Sequence, residues 1–265
     1  MKKAMLSVAS LIVAGLFFIS GHVMAEEITI VGTGSGSSVV KAVGSAFSKS
    51  NSEVTISIPK SIGSGGGIKA VGTDQSMIGR VARKIKDKEK HYGITYVPYA
   101  KNPIVFFINK SVGISDLTTQ QICDIYSGKI TNWKDVGSKD AKIRVIRRED
   151  GDSSLEVLQK SFPGFKDITL TSKSKTTYSD PKTCELAEKK PDAIAFGTYA
   201  NARNYNVTIL NIAGKTATRG DYPYVGVLAL IFKEKNKTKN IKKFVDFATS
   251  RAAHDAIKKA GAIPF

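Results

Sequence analysis

Three short segments of this chain combine glycine with hydroxyl residues, and each stands at the start of a stretch with helical spacing. They are GTGSGSS (32–38), GSGGG (63–67) and GDSS (151–154). The first turn of a helix presents unpaired backbone N–H groups and the positive end of the helix dipole. Glycine lets the backbone approach a ligand closely, and serine hydroxyls add donors. Three such segments brought together would form a cradle for an anion, whereas any one alone is equally an ordinary helix N-cap.

Two adjacent arginines, Arg147 and Arg148, precede the third segment in the sequence IRVIRRED. The planar guanidinium group offers forked N–H donors that suit an oxyanion, and it stays charged at every relevant pH. Because successive side chains of a strand point to opposite faces, only one of the two can enter a shared site. Asp150 either braces Arg148 by an ion pair or forms a surface pair; both alternatives stay open at this stage.

The segments around these residues alternate between strands and helices. Short β-branched and apolar runs predict strands, and amphipathic stretches after the glycine-serine segments predict helices. The predicted strands cover 28–31, 54–58, 94–100, 104–110, 143–148, 193–197, 207–212 and 225–232. This alternation is typical of α/β sheets, in which ligands bind at the carboxyl ends of strands. Near the end of the chain, Ile241, Phe244, Val245 and Ala248 share one helical face.

Two crossings divide the predicted elements into two lobes. We place the first at Lys101–Pro103, between two predicted strands, and the second near residue 210. Residues 26–100 and 210–265 then form lobe I, and residues 101–209 form lobe II. Closure of the lobes about these crossings would enclose a ligand and exclude water.

The first 25 residues have the pattern of a cleaved secretory signal. Lys2 and Lys3 precede an apolar run, which ends at the small-residue pattern Val23-Met24-Ala25. The run is shorter than the ~20 apolar residues that a bilayer requires, so export to the periplasm is favoured over a membrane anchor. Loss of Lys2 and Lys3 changes the net charge from +17 to +15. This charge reflects a solvated surface, steering of small anions or adhesion to polyanions.

Metal sites and enzymatic sites are not favoured by the sequence. After the signal the chain has only Cys123 and Cys184, and only His91 and His254, none of them in metal-binding spacing. The two cysteines form either a disulfide within lobe II or two free thiols. No cofactor or metal is predicted.

Three sequence patterns that suggest enzymes or nucleotide sites fail in detail. Residues 151–155, GDSSL, resemble an esterase motif, but that chemistry requires a histidine to activate the serine. His254 is the only late candidate, and Arg251 occupies the position where an aspartate would be expected. The glycines after Gly32 do not complete a dinucleotide fingerprint, and 63–69 lacks the ending of a P-loop. The chain is therefore predicted not to be an enzyme.

Taken together, these motifs resemble the periplasmic phosphate-binding proteins of ABC uptake systems. The matching segments occur in the family's order and include GTGSGSSVV, SIGSGGGIKAV, IGRVARKIKDKE, NPIVFFINKS, ICDIYSGKITNWKDVG, VIRREDGDSS and YPYVGVLALIF. The resemblance implies an α/β, two-lobed type II periplasmic binding protein, in which each lobe is a mixed sheet flanked by helices.

The resemblance also implies a ligand, partners and a set of site residues. Inorganic phosphate, or a related oxyanion, would bind in the cleft between the lobes of a monomer that serves membrane permease subunits, with no nucleic acid as partner. The implied ligand-binding residues are Ser38, Val39, Ser64, Arg148, Asp152, Ser153 and Ser154. The alternative is a protein of the same fold that acts as a sensor or binds phosphate or polyanions without transport.

Three positions depart from the family's pattern. Ala82 stands where relatives place a serine or aspartate that faces the ligand, and YPYVG lacks the family's arginine. Asp152 places a carboxylate in a turn that usually reads G-S-G-T. Asp152 either faces the cleft and accepts a proton from phosphate, which would reject sulfate, or it turns outward as a helix cap. A site adapted to another ligand, or to none, is the third alternative.

Overall fold

The computed structural model describes residues 25–265; the predicted signal, apart from Ala25, lies outside the described residues. Twelve strands are present in this range. They are β1 (Glu26–Gly32), β2 (Val54–Ser57), β3 (Ile78–Val81), β4 (Thr95–Asn109), β5 (Asp116–Leu117), β6 (Arg144–Arg148), β7 (Lys175–Thr177), β8 (Ala193–Thr198), β9 (Val207–Ile209), β10 (Asn211–Ile212), β11 (Val225–Phe232) and β12 (Ile263–Pro264).

Eight α-helices accompany these strands in residues 25–265. They are α1 (Ser37–Ser50), α2 (Gly63–Gly72), α3 (Thr119–Ser127), α4 (Ser153–Ser161), α5 (Asp180–Lys189), α6 (Tyr199–Ala202), α7 (Lys239–Thr249) and α8 (His254–Lys259). In this part of the chain, no helix is both long enough and apolar enough to cross a membrane.

Ten of the described strands form one sheet that passes from lobe I to lobe II through the long strand β4, and β5 pairs separately with β10. In lobe I, β1 pairs in parallel with β2 and β3, and β11 lies antiparallel between β3 and the first half of β4. In lobe II, the second half of β4 pairs antiparallel with β8, and β6 runs parallel to β8 and β7. The predicted two-lobed α/β architecture with mixed sheets is confirmed.

The first crossing occurs within β4 rather than between two strands. The sequence predicts two strands, 94–100 and 104–110, on either side of Lys101–Pro103, where proline has no N–H to donate to a ladder. The structure has one continuous strand instead. Pro98 lies opposite Ala229, beside a shift in register, and Pro103 lies opposite Val225 at the start of β11. At both places the ladder tolerates a missing donor.

The second crossing lies near residues 224–225, later than the predicted position near 210. β9 pairs with Phe107–Asn109, in the lobe II half of β4. Tyr222 and Tyr224 are buried in the lobe II core, and the Tyr222 hydroxyl donates to the Ile104 carbonyl at 2.7 Å. Residues 210–224 therefore pack with lobe II, and the chain re-enters lobe I at β11.

Each lobe has its own hydrophobic core. In lobe I, the predicted face of α7 (Ile241, Phe244, Val245 and Ala248) is buried. The Phe244 ring meets that of Phe47 on α1 edge-on, with centroids 5.4 Å apart. In lobe II, Phe106 of β4 lies within 6.0 Å, centroid to centroid, of four aromatic rings: Tyr126, Phe162, Phe165 and Phe196. Such pairs stabilise beyond their buried area, by about 0.5–1.5 kcal/mol each.

Both cysteines are buried free thiols in the lobe II core. The Cys123 thiol donates to the Pro163 carbonyl at 3.4 Å. Burial raises the pKa of both thiols, which keeps them protonated and unreactive at neutral pH. Of the two alternatives from the sequence, the structure has the free thiols.

Candidate functional site

Arg148 ends β6 and lies buried where the lobes meet. As the alternation of a strand requires, Arg147 points the other way: its Nε donates to Thr176 Oγ1 at 3.2 Å, and its guanidinium lies 3.7 Å from Asp150. Asp150 is therefore paired with Arg147, on the surface, and not with Arg148. Only 3% of Arg148 is exposed, so its charge must be balanced by neighbouring groups.

Three carboxylates surround the Arg148 guanidinium. Nη1 contacts Asp180 Oδ1, Nη2 lies 3.0 Å from Asp152 Oδ2, and Nε lies 3.1 Å from Glu149 Oε2. Burial opposes the charged guanidinium, but the fields of these carboxylates outweigh it and raise the pKa of Arg148 above its ordinary value. The arginine is thus fixed in place. If all three carboxylates are ionised, Arg148 and its three partners together carry a net negative charge.

Asp152 is both a helix cap and a buried neighbour of Arg148. Its Oδ1 accepts hydrogen bonds from the backbone N–H groups of Ser154 and Leu155, at 2.9 and 3.0 Å, which makes it the N-cap of α4. Its other oxygen faces Arg148. Burial raises the pKa of Asp152 to about 7, against the opposing effect of Arg148 and with a further increase from Asp180. The two alternatives for Asp152 are therefore not exclusive, since it caps the helix while facing inward.

Asp180 is a second buried carboxylate that sequence reasoning missed. It is the first residue of α5, between Ser179 and Pro181, and none of its surface is exposed. Its Oδ2 accepts from Asn201 Nδ2 at 3.3 Å, and the same amide nitrogen lies 3.2 Å from the Gly34 carbonyl in lobe I. The SDP sequence indicates only a helix start, and a chain separation of 32 residues hides its contact with Arg148.

The serines of the third segment lie at the junction between the lobes. Ser153 Oγ donates to Ser35 Oγ of lobe I at 3.2 Å. Ser154 is fully buried, and its hydroxyl has no hydrogen-bond partner among residues 25–265. The Thr198 hydroxyl, at the end of β8, and the Asn102 side chain, at the β4 crossing, are likewise buried and unpaired in the described part of the chain. These unpaired groups can hydrogen-bond to a ligand held between the lobes.

The first two segments contribute differently from what the sequence predicted. Ser64 lies near the start of α2 and accepts from the Ala82 N–H at 3.2 Å, so the second segment and Ala82 lie together. Ser38 instead donates to the Ala200 carbonyl at 3.1 Å, and Val39 belongs to the lobe I core. Ser35, which was not among the predicted site residues, is the residue of the first segment whose hydroxyl contacts the third segment, through Ser153.

The helix N-termini of lobe I are capped less completely than that of α4. The N-cap residues of α1 and α2, Gly36 and Ile62, supply no capping side chain, whereas Asp152 caps α4. Part of each first turn is already paired: the Ser37 N–H donates to the Gly34 carbonyl at 3.1 Å, and the Gly63 N–H donates to Ser61 Oγ at 3.3 Å. The remaining backbone N–H groups and the positive dipole ends favour an anion. Within residues 25–265, no group of His, Cys, Asp or Glu is placed to hold a metal ion.

This arrangement has close counterparts among known proteins. A putative phosphate ABC transporter substrate-binding protein from Clostridium perfringens, solved with bound phosphate, is 31% identical to this chain, with a TM-score of 0.82. The match covers 91% of this chain and 100% of that protein. The phosphate-binding protein PstS of Bacillus subtilis is 25% identical over 240 residues, which cover 87% of this chain and 78% of that protein. A phosphate-binding protein from Stenotrophomonas maltophilia, at 15% identity and a TM-score of 0.72 with 91% of each chain covered, shares the fold.

A family model agrees with these likenesses over most of the chain. The model describes a PBP superfamily domain and matches residues 21–252. The chain therefore belongs to the PBP superfamily, and it has the two-lobed type II fold of the periplasmic phosphate-binding proteins.

Proposed function

We propose that this protein captures inorganic phosphate between its two lobes and delivers it to the permease subunits of an ABC transporter. The observation that carries the proposal is the buried Arg148, held at the junction of the lobes among hydroxyl groups and uncapped helix N-termini. The 31% identical relative from C. perfringens, solved with phosphate, supports it, as do the curated PstS relatives.

Hydrogen bonds from neutral groups, rather than net positive charge, would hold the anion. Arg148 is already balanced by carboxylates, so it supplies directed N–H donors more than an unpaired charge. We assign the remaining donors to the backbone at the start of α1 and α2 and to four hydroxyls, those of Ser35, Ser64, Ser153 and Ser154. Ser38 and Val39 are left out of this set because their side chains are engaged elsewhere.

Asp152 would select for an anion that carries a proton. A buried carboxylate repels a fully ionised oxyanion, but it can accept a hydrogen bond from a protonated one. Both common ions of phosphate at neutral pH keep a proton, and sulfate has none. Ala82, where relatives place a ligand-facing serine or aspartate, leaves this role to Asp152 and Asp180.

The remaining parts of the proposal concern location and partners. The N-terminal pattern and the extracytoplasmic role of the relatives support a periplasmic location. We propose in addition that the protein works as a monomer and has no nucleic acid as a partner. Relatives with stated functions are binding proteins rather than enzymes, and we assign this chain no catalytic role. A sensor or a polyanion-binding protein of the same fold is less well supported, because the relatives named above are phosphate-binding or transport proteins.

Calorimetric titration of residues 26–265 tests the proposal. Phosphate and arsenate should bind with one site per chain, and sulfate should bind far more weakly. In the Asp152→Asn variant, which replaces an acceptor oxygen with a donor, phosphate affinity should fall and the preference over sulfate should narrow. The exposed Asp150→Asn variant is the matched control and should behave as the unmodified protein. Equal affinities for phosphate and sulfate in the unmodified protein would contradict the role of Asp152, and absence of phosphate binding would contradict the function.

A further inference from the structure

A second cavity of about 780 Å³ opens between the lobes beside the phosphate cradle. Its cationic lining comes from both sides: Lys41, Lys60 and Arg80 belong to lobe I, and Lys175 and Lys182 belong to lobe II. Among residues 25–265, no aspartate or glutamate lines it. We call this cavity the lysine pocket. It shares no donor or acceptor side chain with the cradle, so its role can be considered independently of orthophosphate capture.

Most of the charge in the lysine pocket is not neutralised within the protein. In the described range, Lys41, Lys60 and Lys175 form no salt bridge, and only Lys182 is paired, with Glu185 at 2.8 Å. Cations from two lobes that face a common cavity repel one another when the lobes close, which disfavours closure unless an anion lies between them.

Arg80 adds a buried charge without a carboxylate partner in residues 25–265. Only 3% of it is exposed. Its guanidinium donates to the carbonyls of Thr33 at 2.8 Å, Pro59 at 2.9 Å and Ile30. Burial lowers the pKa of Arg80 to about 10, so it stays charged at neutral pH. Arg148, by contrast, is surrounded by three carboxylates, so the two buried arginines differ sharply in how their charge is compensated.

The size of the lysine pocket exceeds the needs of a single phosphate ion. Its volume lies in the range of about 300–1,000 Å³ that holds larger small-molecule ligands. Ammonium groups spread around such a cavity suit an elongated ligand with several negative charges. Apolar surface in the lining comes from Ile58 of lobe I and Tyr178 of lobe II, and 73% of Tyr178 is exposed.

We propose that the lysine pocket binds a short chain of phosphoryl groups. Inorganic tripolyphosphate and the triphosphate of a nucleotide both present this chemistry. In a nucleotide, the base would stack on the exposed ring of Tyr178, whereas an inorganic chain would use only the cations.

Titration with tripolyphosphate in the presence of saturating orthophosphate tests the proposal. Orthophosphate should not displace tripolyphosphate, because the cationic side chains of the lysine pocket take no part in the cradle. The double variant Lys60→Gln/Lys175→Gln removes one cation from each lobe and should weaken tripolyphosphate binding by about tenfold, the equivalent of ~1.4 kcal/mol. Its orthophosphate affinity should change less than about twofold, which also shows that the variant is folded.

The matched control is Lys88→Gln/Lys215→Gln, which removes the same charge from exposed positions outside the lysine pocket. It should leave both affinities nearly unchanged. An equal loss in the control, displacement by orthophosphate, or no tripolyphosphate binding at millimolar concentration would overturn the proposal. Titration with ATP distinguishes the two sources. If ATP binds more tightly than tripolyphosphate, and the Tyr178→Ala variant loses this tighter binding, the ligand is a nucleotide. If ATP binds with equal or weaker affinity, the ligand is the inorganic chain.

Discussion

At the scale of single residues, Arg148 organises the site through the groups it holds. It orients Asp152 and Asp180, and the same Asp152 caps α4, the helix that carries Ser153 and Ser154. Removing one partner from a buried ionic group leaves charges uncompensated and typically costs about 3–5 kcal/mol. Substitution of Arg148 therefore affects both ligand binding and stability.

We expect Arg148→Ala to weaken phosphate binding by two or more powers of ten. Loss of Arg148 removes a charge-assisted donor, which contributes roughly 1.5–3 kcal/mol, and leaves the buried carboxylates of Asp152 and Asp180 uncompensated beside the anion. Arg147→Ala, which removes the outward-facing neighbour, should change the affinity little. Calorimetry measures both affinities, and thermal unfolding checks that Arg148→Ala is folded at the temperature used. Arg148→Lys, which keeps the charge but loses the fork, should give an intermediate affinity. A larger loss in Arg147→Ala than in Arg148→Ala would contradict the assignment.

The raised pKa of Asp152 predicts a pH-dependent stability. In the unfolded chain this carboxyl titrates near its ordinary value of 3.8, and in the folded protein it titrates near 7. Between these values the folded state binds more protons, so the free energy of unfolding decreases as pH rises through 7. The full difference corresponds to roughly 4 kcal/mol, of which roughly 3 kcal/mol is lost between pH 5 and pH 8. Urea unfolding without phosphate should therefore show lower stability at pH 8 than at pH 5.

The Asp152→Asn variant isolates this effect. Asparagine still caps a helix but does not titrate, so the decrease between pH 5 and pH 8 should largely disappear. Asp150→Asn, on the surface, should retain it. If Asp152→Asn keeps the full decrease, the titrating group lies elsewhere.

At the scale of elements, short strand–loop–helix units bring the donors together. The sequence was sufficient to predict β1, β2, β6, β8 and β11, and the helices α1, α2, α4 and α7, because apolar runs and glycine-serine segments mark their limits. It was not sufficient for β4, which was divided into two strands around Lys101–Pro103, although the pairing with β11 continues through this segment. Arg148, Ser64, Ser153 and Ser154 were predicted from local motifs, whereas Asp180 and Ser35 make contacts between distant segments that local patterns do not reveal.

The position of Ser64 depends on close packing between α2 and β1. A Cβ atom at Gly67 would lie 2.8 Å from the Gly32 Cα, which belongs to the backbone of β1. We expect Gly67→Ala to push α2 away from the sheet, to lower the free energy of unfolding by about 1–3 kcal/mol and to weaken phosphate binding. Gly220→Ala is the control, since nothing lies within 4 Å of its added Cβ. Unchanged stability and affinity in Gly67→Ala would show that α2 does not depend on this contact.

At the scale of the whole molecule, the two lobes meet through a small number of polar contacts. Ser153 contacts Ser35, Asn201 reaches the Gly34 carbonyl, and Lys86 of lobe I forms a salt bridge with Glu156 of lobe II. Two chain crossings, within β4 and just before β11, join the lobes and are the natural places for a hinge.

The most direct test of the central claim is to locate a bound oxyanion by anomalous diffraction. Crystals of residues 26–265 grown with arsenate should show one strong arsenic peak between the lobes, within hydrogen-bonding distance of the Arg148 guanidinium and the Ser64 and Ser154 hydroxyls. An arsenic peak only in the lysine pocket, or no ordered arsenic at saturating concentration, would contradict phosphate capture at the Arg148 cradle.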